Sequence, residues 1–322
     1  MPGLPTDSTH LSDVDTALLL DEYGGEVESQ FAKSSFMRQF AKIRPVRGTD
    51  TIVNNRVGKT VLKALVPGVR PDATNTDFGK VAVTVDTVIL ARDNRSMLNE
   101  LQSHFDARME LAQDHGKELG KFFDEAFIIM AIKGAHSAAP AGLNGAIGAG
   151  KIVEFTAAGD ENDPDKLDDA VHSILTQMEE EDIDVSELVC LVRPSTYRVL
   201  QKNDKLVSVD YSAGNGDYAK GKVEEIGGCR IIKTARIPTA AIVGHKLSNA
   251  GNSNAYDLTA EQSDSIVVIL HPKSLLAGET IPLTSDIWFN KEEKQWFIDS
   301  FLAFGVAVNR PDVCGAVRKY RA

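Results

Sequence analysis

A serine follows a short apolar strand in the segment ELVCLVRPSTYRVLQ, residues 187–201, and a serine in that place could act as a nucleophile. Hydrolases expose such a serine at a strained strand-to-helix turn, which requires small neighbours as in G-x-S-x-G. The neighbours of Ser195 are instead an Arg-Pro pair and a Thr-Tyr pair. Because Pro194 suits the start of a helix and hydroxyl groups accept from the free N–H groups of a first turn, we predict that Ser195 and Thr196 cap a helix.

Two further segments resemble ligand-binding loops. Gly145–Lys151 reads G-x-x-x-x-G-K, as phosphate-binding loops do, but isoleucine replaces the Ser or Thr that must follow the lysine. Asp160 and Asn162 have the spacing of a calcium loop, yet a proline occupies the next ligand position. We therefore predict a surface loop in the first case, and in the second a helix with Asp163 as N-cap and Pro164 as first residue.

The three cysteines, Cys190, Cys229 and Cys314, are isolated, and no CxxC pair occurs. This pattern favours buried, reduced thiols over a metal or redox site. The seven histidines are equally scattered. We predict no metal, no cofactor and no catalytic constellation, and hence no enzyme.

The charge balance limits the partners of the protein. The 322 residues carry a formal net charge of −11, whereas a protein that grips a phosphate backbone needs a basic patch. No apolar run approaches the roughly 18 residues that span a bilayer, and the N-terminal residues lack the features of a signal peptide. We expect synthesis in the cytoplasm and no membrane partner.

Residues 47–95 form a basic segment with strand-like patterns. They contain eight Lys or Arg residues and five Asp residues. The β-branched residues of 51–66 and 78–90 predict a long two-stranded excursion, with a turn between the strands. Because an isolated hairpin is marginal in water, this one should lie on another surface.

The strongest helical pattern follows the hairpin. Apolar residues spaced three or four apart predict a helix from Met97 to Lys133, which would be roughly 54 Å long. Gly116 and Gly120 lie near its middle. Each glycine lowers the stability of a helix interior, so either a neighbouring segment packs closely against them or the helix bends there.

The two ends of the chain differ in pattern. The first 45 residues predict an extended arm with one short amphipathic helix, interrupted by Gly24-Gly25. From Asp165 the chain alternates helix and strand, with a helical stripe of Leu167, Val171, Ile174, Leu175 and Met178. The last part is β again, with a charged turn KEEK at residues 291–294.

In this order the elements resemble the major capsid proteins of tailed bacteriophages with the HK97 fold, and most of all those of T7-like podoviruses. The resemblance covers essentially the whole chain. LLLDEYGGEVESQFAKSSFM resembles the family's arm, LVRPSTYRVL its strand, proline-serine turn and helix, and VAVNRPDVCGAV its terminal segment. The order and spacing of these motifs carry the resemblance, because none of them is specific alone.

The resemblance implies an α+β fold of the HK97-like capsid type. It assigns an N-terminal arm to 1–46, an E-loop to 47–95, the spine helix and loop of the P-domain to 96–164, the A-domain to 165–278, the return strands of the P-domain to 279–309, and a C-terminal A-domain segment to 310–322.

The family further implies an icosahedral shell of pentamers and hexamers that encloses double-stranded DNA in the virion. It implies a scaffolding protein, a portal and, on some shells, a decoration protein as partners. A spine longer than a domain and a hairpin that is unstable alone also require neighbouring copies. We therefore expect Arg56, Lys59, Lys63 and Arg70 to contact an acidic surface of an adjacent subunit.

Two other functions remain open from the sequence. An encapsulin-like compartment has the same fold but encloses enzyme cargo. A soluble α/β enzyme would use Ser195 or the Gly145 segment as its site.

Overall fold

A computed structural model describes residues 23–64, 67–68, 70, 75–96, 107–203, 206, 216–217 and 222–321. Within them the helices are α1 (residues 23–34), α2 (Met37–Phe40), α3 (Ala107–Ala135), α4 (Pro164–Glu179), α5 (Pro194–Leu200) and α6 (Ala260–Ser263). The strands are β1 (Ile43–Pro45), β2 (Thr51–Val57), β3 (Phe78–Thr84), β4 (Ile89–Ser96), β5 (Lys151–Glu154), β6 (Val189–Val192), β7 (Gly216–Asp217), β8 (Lys222–Val223), β9 (Glu225–Ile226), β10 (Cys229–Lys233), β11 (Ser265–Leu270), β12 (Leu275–Asn290), β13 (Gln295–Val308) and β14 (Cys314–Arg318).

The chain divides into two compact units. The first comprises the described parts of Met1–Gln39, Val85–Asp124 and Glu279–Phe304. The second comprises those of Phe40–Thr84, Glu125–Gly278 and Gly305–Ala322. Among the described helices, none is both long and apolar enough to cross a membrane.

A six-stranded sheet organises the second unit, in the order β5-β14-β11-β6-β10-β9. Strand β6 pairs in parallel with β10 and antiparallel with β11, so the sheet is mixed. Both faces of β6 and β11 are buried, which explains their continuous apolar sequences VCLV and SIVVIL. Helix α4 packs on this sheet, and the five apolar residues predicted to form its stripe are all buried.

Helix α4 begins as the sequence predicts. Asp163 is the N-cap, and its side chain accepts a hydrogen bond from the backbone N–H of Asp165. Pro164 is the first helical residue. Asp160 and Asn162 lie in a short 3-10 turn, where the Asp160 carboxylate accepts from Lys166 at 2.6 Å instead of facing a metal site.

Strands β2 and β3 form the predicted hairpin. A four-stranded sheet has the order β1-β12-β13-β4, and β7 pairs with β8 alone among the described strands. The sequence places one strand over residues 78–90, but β3 ends at Thr84, and β4 pairs with β13 instead of extending the hairpin. Likewise the strand predicted for 51–66 ends at Val57. One further backbone contact follows, in which the Gly58 N–H donates to the Asp77 carbonyl at 2.8 Å.

The apolar core of the first unit lies between α1, α3 and the sheet. Tyr23, Val27, Ala112, Ile287 and Ile298 form one buried cluster in it. The predicted interruption at Gly24-Gly25 is wrong, because both glycines are helical in α1. Of the predicted spine helix, Met97 to residue 106 lies outside the described residues, and the described part continues without a break through Gly116 and Gly120 to Ala135.

Candidate functional site

The inner face of the hairpin is attached to its own chain. The Arg56 guanidinium donates to the backbone carbonyl of Val308 at 3.1 Å and also to that of Asn309. The side-chain amide of Asn54 donates to the Asn309 side chain at 2.8 Å. Burial lowers the pKa of Arg56, and the negative charge of Asp312 partly offsets this effect. The hairpin thus rests on the end of β13.

The base of the hairpin is held by the loop that follows α3. The backbone N–H of Lys59 donates to the Leu143 carbonyl at 3.2 Å. A Cβ placed on Gly79 would lie 3.3 Å from the Leu143 side chain, so that leucine packs directly on β3. These contacts supply the support that an isolated hairpin lacks in water.

The outer face of the hairpin is open. In the antiparallel register Val57 faces Phe78 and Val53 faces Ala82. The exposed fractions of Val57 and Phe78 are 56% and 73%, although both are apolar. Asn55 and Lys80 lie between these two apolar pairs on the same face. Exposed apolar side chains on a strand pair are typical of a binding surface for another protein.

The four basic residues predicted to contact a neighbour fall into two groups. Lys59, Lys63 and Arg70 are exposed and lie beyond the paired part of the hairpin. Arg56 lies on the inner face and binds its own chain. Reversing the charge of Arg56 would therefore disturb the attachment of the hairpin as well as any contact with a neighbour.

Helix α1 packs closely against α3 at Gly116 and Gly120. A Cβ on Gly116 would lie 2.5 Å from the backbone oxygen of Val27, and one on Gly120 would lie 2.9 Å from the Ser34 hydroxyl. That hydroxyl donates to the Lys117 carbonyl at 3.2 Å. The geometry accounts for both glycines by close packing. A bend of α3 at this point remains a prediction.

A polar network joins α1 to α3 beside these glycines. The Tyr23 hydroxyl lies 2.8 Å from His115 Nδ1 and 3.0 Å from the Ser300 hydroxyl. His115 Nε2 lies 2.8 Å from the Asp93 carboxylate. Burial raises the pKa of Tyr23 to about 12, so the hydroxyl keeps its proton and can donate.

The carboxylate of Asp124 holds the segment after α1. It accepts hydrogen bonds from the Ser35 hydroxyl at 2.5 Å and from the backbone N–H groups of Phe36 and Met37 at 3.2 Å. Asp124 is fully buried in α3. Its role was not predicted from the sequence, although an acidic residue between Phe123 and Ala126 on the apolar stripe was a recognisable signal, because a buried charge requires partners.

The residues considered for catalysis do not form a site. Ser195 is exposed and is the second residue of α5, and the prediction that it caps the helix is wrong. The cap position belongs to Arg193, whose backbone is extended, and no side chain caps the helix. Residues 145–150 form a loop, as predicted, and Lys151 is the first residue of β5, so that a strand follows the loop instead of a helix. Lys151 pairs with Glu181.

All three cysteines are free and buried, as predicted. Burial raises the pKa of Cys229 and of Cys314 to about 12, and it raises that of Cys190 well above its usual value. Thiols of this kind carry almost no thiolate at neutral pH and are unreactive.

A family model described as "Gp10A-like: Major capsid protein" matches residues 83–276. A comparison with curated protein sequences found no significant match. Among solved structures, the mature capsid of bacteriophage PhiM1 is similar at 28% identity with a TM-score of 0.77, over 89% of this chain and 88% of that one. The capsid of cyanophage P-SCSP1u is similar at 17% identity with a TM-score of 0.79, over 89% of both chains.

These comparisons confirm the predicted fold, a mixed helix and strand architecture of the HK97-like capsid type. A virus-like particle from Pyrococcus furiosus also has a related structure, at 11% identity and a TM-score of 0.53. At that identity the likeness concerns the fold alone. Since the matching family model is that of a major capsid protein, an encapsulin-like compartment is not favoured.

Proposed function

Because this chain belongs to the Gp10A-like family of major capsid proteins, we propose that it forms the pentamers and hexamers of an icosahedral phage head. The head encloses double-stranded DNA, and the phage is a podovirus of the T7-like group. The chain acts as a structural protein, not as an enzyme. It is made in the cytoplasm of the host bacterium and ends in the virion.

The open face of the hairpin is the observation that carries this proposal. The inner face is attached to its own chain through Arg56, yet the outer face leaves Val57 and Phe78 exposed. Burying an apolar side chain contributes about 1.5–3 kcal/mol. If a neighbouring copy covers this face, the burial of these side chains would stabilise every such contact around a capsomer.

The domain assignment of the sequence fits this role. We assign 1–46 to an arm, 47–95 to an E-loop that reaches a neighbour, 96–164 to the spine, 165–278 with 310–322 to the A-domain, and 279–309 to the return strands. Each part other than the A-domain depends on another copy for some of its packing.

The formal net charge of −11 fits a container for DNA. A basic lining would hold DNA with salt-dependent affinity and slow its release, whereas an acidic lining keeps it mobile. From the resemblance to phage capsid proteins, we further propose that the partners of the chain are its own copies, a scaffolding protein during assembly, a portal at one vertex and, where the shell carries one, a decoration protein. It binds DNA without sequence specificity and binds no membrane.

Sedimentation and negative-stain microscopy of the purified chain test the proposal. We expect rings of five and six copies, or closed shells, when the chain is produced with a scaffolding protein. The variant with Val57→Thr and Phe78→Ser is the matched comparison, and it should remain folded but need a higher concentration to assemble. A wild-type chain that stays monomeric under every assembly condition, and that has esterase or nucleotide-hydrolysing activity, would support the enzyme alternative.

A further inference from the structure

A polar cavity of about 250 Å³ opens in the second unit, at the end of the six-stranded sheet where β11 finishes. Its walls come from the turn at residues 182–187 and from His271, Lys273 and Arg310. The sequence analysis did not identify it, because its residues come from three separate parts of the chain. Neither the hairpin attachment nor the contacts of α1 use it.

The walls of the cavity are fixed by hydrogen bonds. The backbone N–H of Lys273 donates to His271 Nδ1 at 3.0 Å, which leaves the ring proton on Nε2. His271 Nε2 then donates to the Glu187 carboxylate at 2.8 Å. Asp184 accepts from the Ser186 backbone N–H at 2.9 Å. A cavity with walls already ordered loses little entropy when it is filled.

The charge of the cavity favours a cation. Burial lowers the pKa of His271, so the ring is neutral at pH 7. Arg310 is paired with the buried carboxylate of Asp312. This leaves the carboxylates of Asp182, Asp184 and Glu187 opposite the single ammonium of Lys273.

The surroundings strengthen this preference. Residues 160–187, which include α4 and the cavity turn, contain twelve acidic residues and one lysine. Their formal charge of −11 equals that of the whole chain. A concentration of one sign at a surface attracts and orients an oppositely charged partner.

The size of the cavity indicates the kind of ligand. Its volume is below the roughly 300–1,000 Å³ of small-molecule sites, and it matches one long side chain better than a metabolite. Lysine and arginine suit such a place, because their apolar stems can be buried while the charged head meets the carboxylates. The chain itself presents Lys59, Lys63 and Arg70 on an exposed hairpin.

We propose that this cavity receives a basic side chain from the hairpin of a neighbouring copy, at Lys59, Lys63 or Arg70. The inference rests on the proposed function, since only an assembled shell brings a second hairpin to the cavity. It names the acceptor surface that the hairpin contacts, which lies on the acidic turn after α4.

The first experiment neutralises the cavity with Asp182→Asn and Glu187→Gln. Asparagine tolerates the left-handed backbone of residue 182, where φ is 61°, and glutamine keeps an oxygen that can accept from His271. The concentration at which shells form, followed by light scattering, should rise roughly tenfold, because each subunit loses a charged contact with its neighbour. The control variant, Asp165→Asn with Asp169→Asn, removes the same charge from the other end of α4 and should assemble like the wild type.

The second experiment reverses both sides. Lys59→Glu, Lys63→Glu and Arg70→Glu together should abolish assembly, and adding Asp182→Lys with Glu187→Lys to that chain should restore it. Circular dichroism confirms that each chain is folded. If wild-type shells form but the reversed pair does not restore assembly, or if the neutralised cavity assembles normally, the acceptor surface is wrong while the proposed function stands. If the wild type never assembles, the proposed function itself fails.

Discussion

Gly116 and Gly120 show how two single residues determine where the arm helix lies. A side chain on Gly116 would have to displace a backbone oxygen, which cannot move without moving α1. Ser34, beside Gly120, is in contact as well and donates its own hydrogen bond to α3. Because these glycines have no side chain, α1 can pack directly against α3, and this packing offsets their low helix propensity.

We therefore predict that Gly116→Ala and Gly120→Ala each lower the free energy of unfolding by about 1–3 kcal/mol, as overpacking does. Urea denaturation measures the change. Gly25→Ala is the matched control, because a Cβ there meets nothing within 4 Å. That control should gain up to about 1 kcal/mol from helix propensity.

The same variants address the alternative of a bend in α3. If both alanine variants are as stable as the wild type and yet slow the maturation of the shell, the glycines act by bending, and the packing explanation is wrong. If stability falls before any shell forms, close packing is their role.

The ion pair of Arg92 with Asp299 predicts a dependence on pH. Arg92 donates to the Asp299 carboxylate at 2.7 and 2.6 Å and thereby lowers the pKa of that carboxyl group. A carboxyl group with a lowered pKa in the folded state stabilises the fold above its unfolded pKa of about 3.9, and this stabilisation is lost as the pH falls.

Arg92→Met should therefore reduce stability most above about pH 5, and the difference from the wild type should shrink below about pH 4. Urea unfolding at a series of pH values measures it. Arg95→Met on the same strand is the control, because no described residue forms an ion pair with Arg95. Its effect on the free energy of unfolding should not vary between pH 3 and pH 7. A constant difference for Arg92→Met across pH 3–7 would contradict the assignment.

The roles of single residues were harder to predict from the sequence than the positions of helices and strands. The sequence correctly predicted the cap at Asp163 and the buried cysteines, because local chemistry decides both. The prediction for Ser195 was wrong, because Arg193, the extended residue before Pro194, is the N-cap. The sequence could not identify the partners of Asp124 or the cavity at His271, because the residues that come together there lie far apart in the chain.

At the scale of elements, the hairpin separates attachment from recognition by its two faces. Successive residues of a strand point to opposite sides, so Arg56 and Asn54 reach their own chain while Val57 and Val53 face away. This arrangement lets the hairpin be held in place before a neighbour arrives. A binding element that is already ordered loses less entropy on association.

The two faces should respond differently to substitution. On the outer face, Val57→Thr with Phe78→Ser should change the free energy of unfolding by no more than about 0.5 kcal/mol but raise the concentration needed for assembly. On the inner face, Val83→Thr should cost about 1–3 kcal/mol, because it buries a hydroxyl at a position that is 4% exposed. Urea denaturation and light scattering, run on the same samples, separate the two effects.

Elements were more predictable than residues because their patterns repeat. Helix α4 begins where the sequence places it, and the turn at 291–294 separates two strands of the last β part, as predicted. The errors concern boundaries set by tertiary contacts. Residues 89 and 90, predicted to end a hairpin strand, belong to β4, which pairs with β13. The two glycines of α1, predicted to interrupt the helix, are helical.

At the scale of the whole molecule, the charge is unevenly distributed. The acidic residues concentrate between 160 and 187, while residues 47–95 are net basic. If the basic segment of one copy contacts the acidic segment of the next, the two segments neutralise part of each other's charge. This distribution also favours the correct orientation during assembly.

We predict that the inner surface of the assembled shell is acidic. Packaged DNA would then meet no continuous basic surface, and its release would depend only weakly on salt. Mapping the charged side chains onto the inner surface of an assembled shell tests this, and empty shells should not retain added duplex DNA at about 50 mM salt. A strongly positive inner surface would contradict this interpretation of the net charge.

The central claim is that neighbouring copies of this chain cover the outer face of the hairpin in a closed shell. An electron cryomicroscopy reconstruction of the assembled particle, at a resolution that shows side chains, tests it most directly. The account predicts icosahedral symmetry with five-fold and six-fold capsomers, in which Val57 and Phe78 of each copy are buried against the next. A particle without such capsomers, or a shell in which both side chains face solvent, would contradict it.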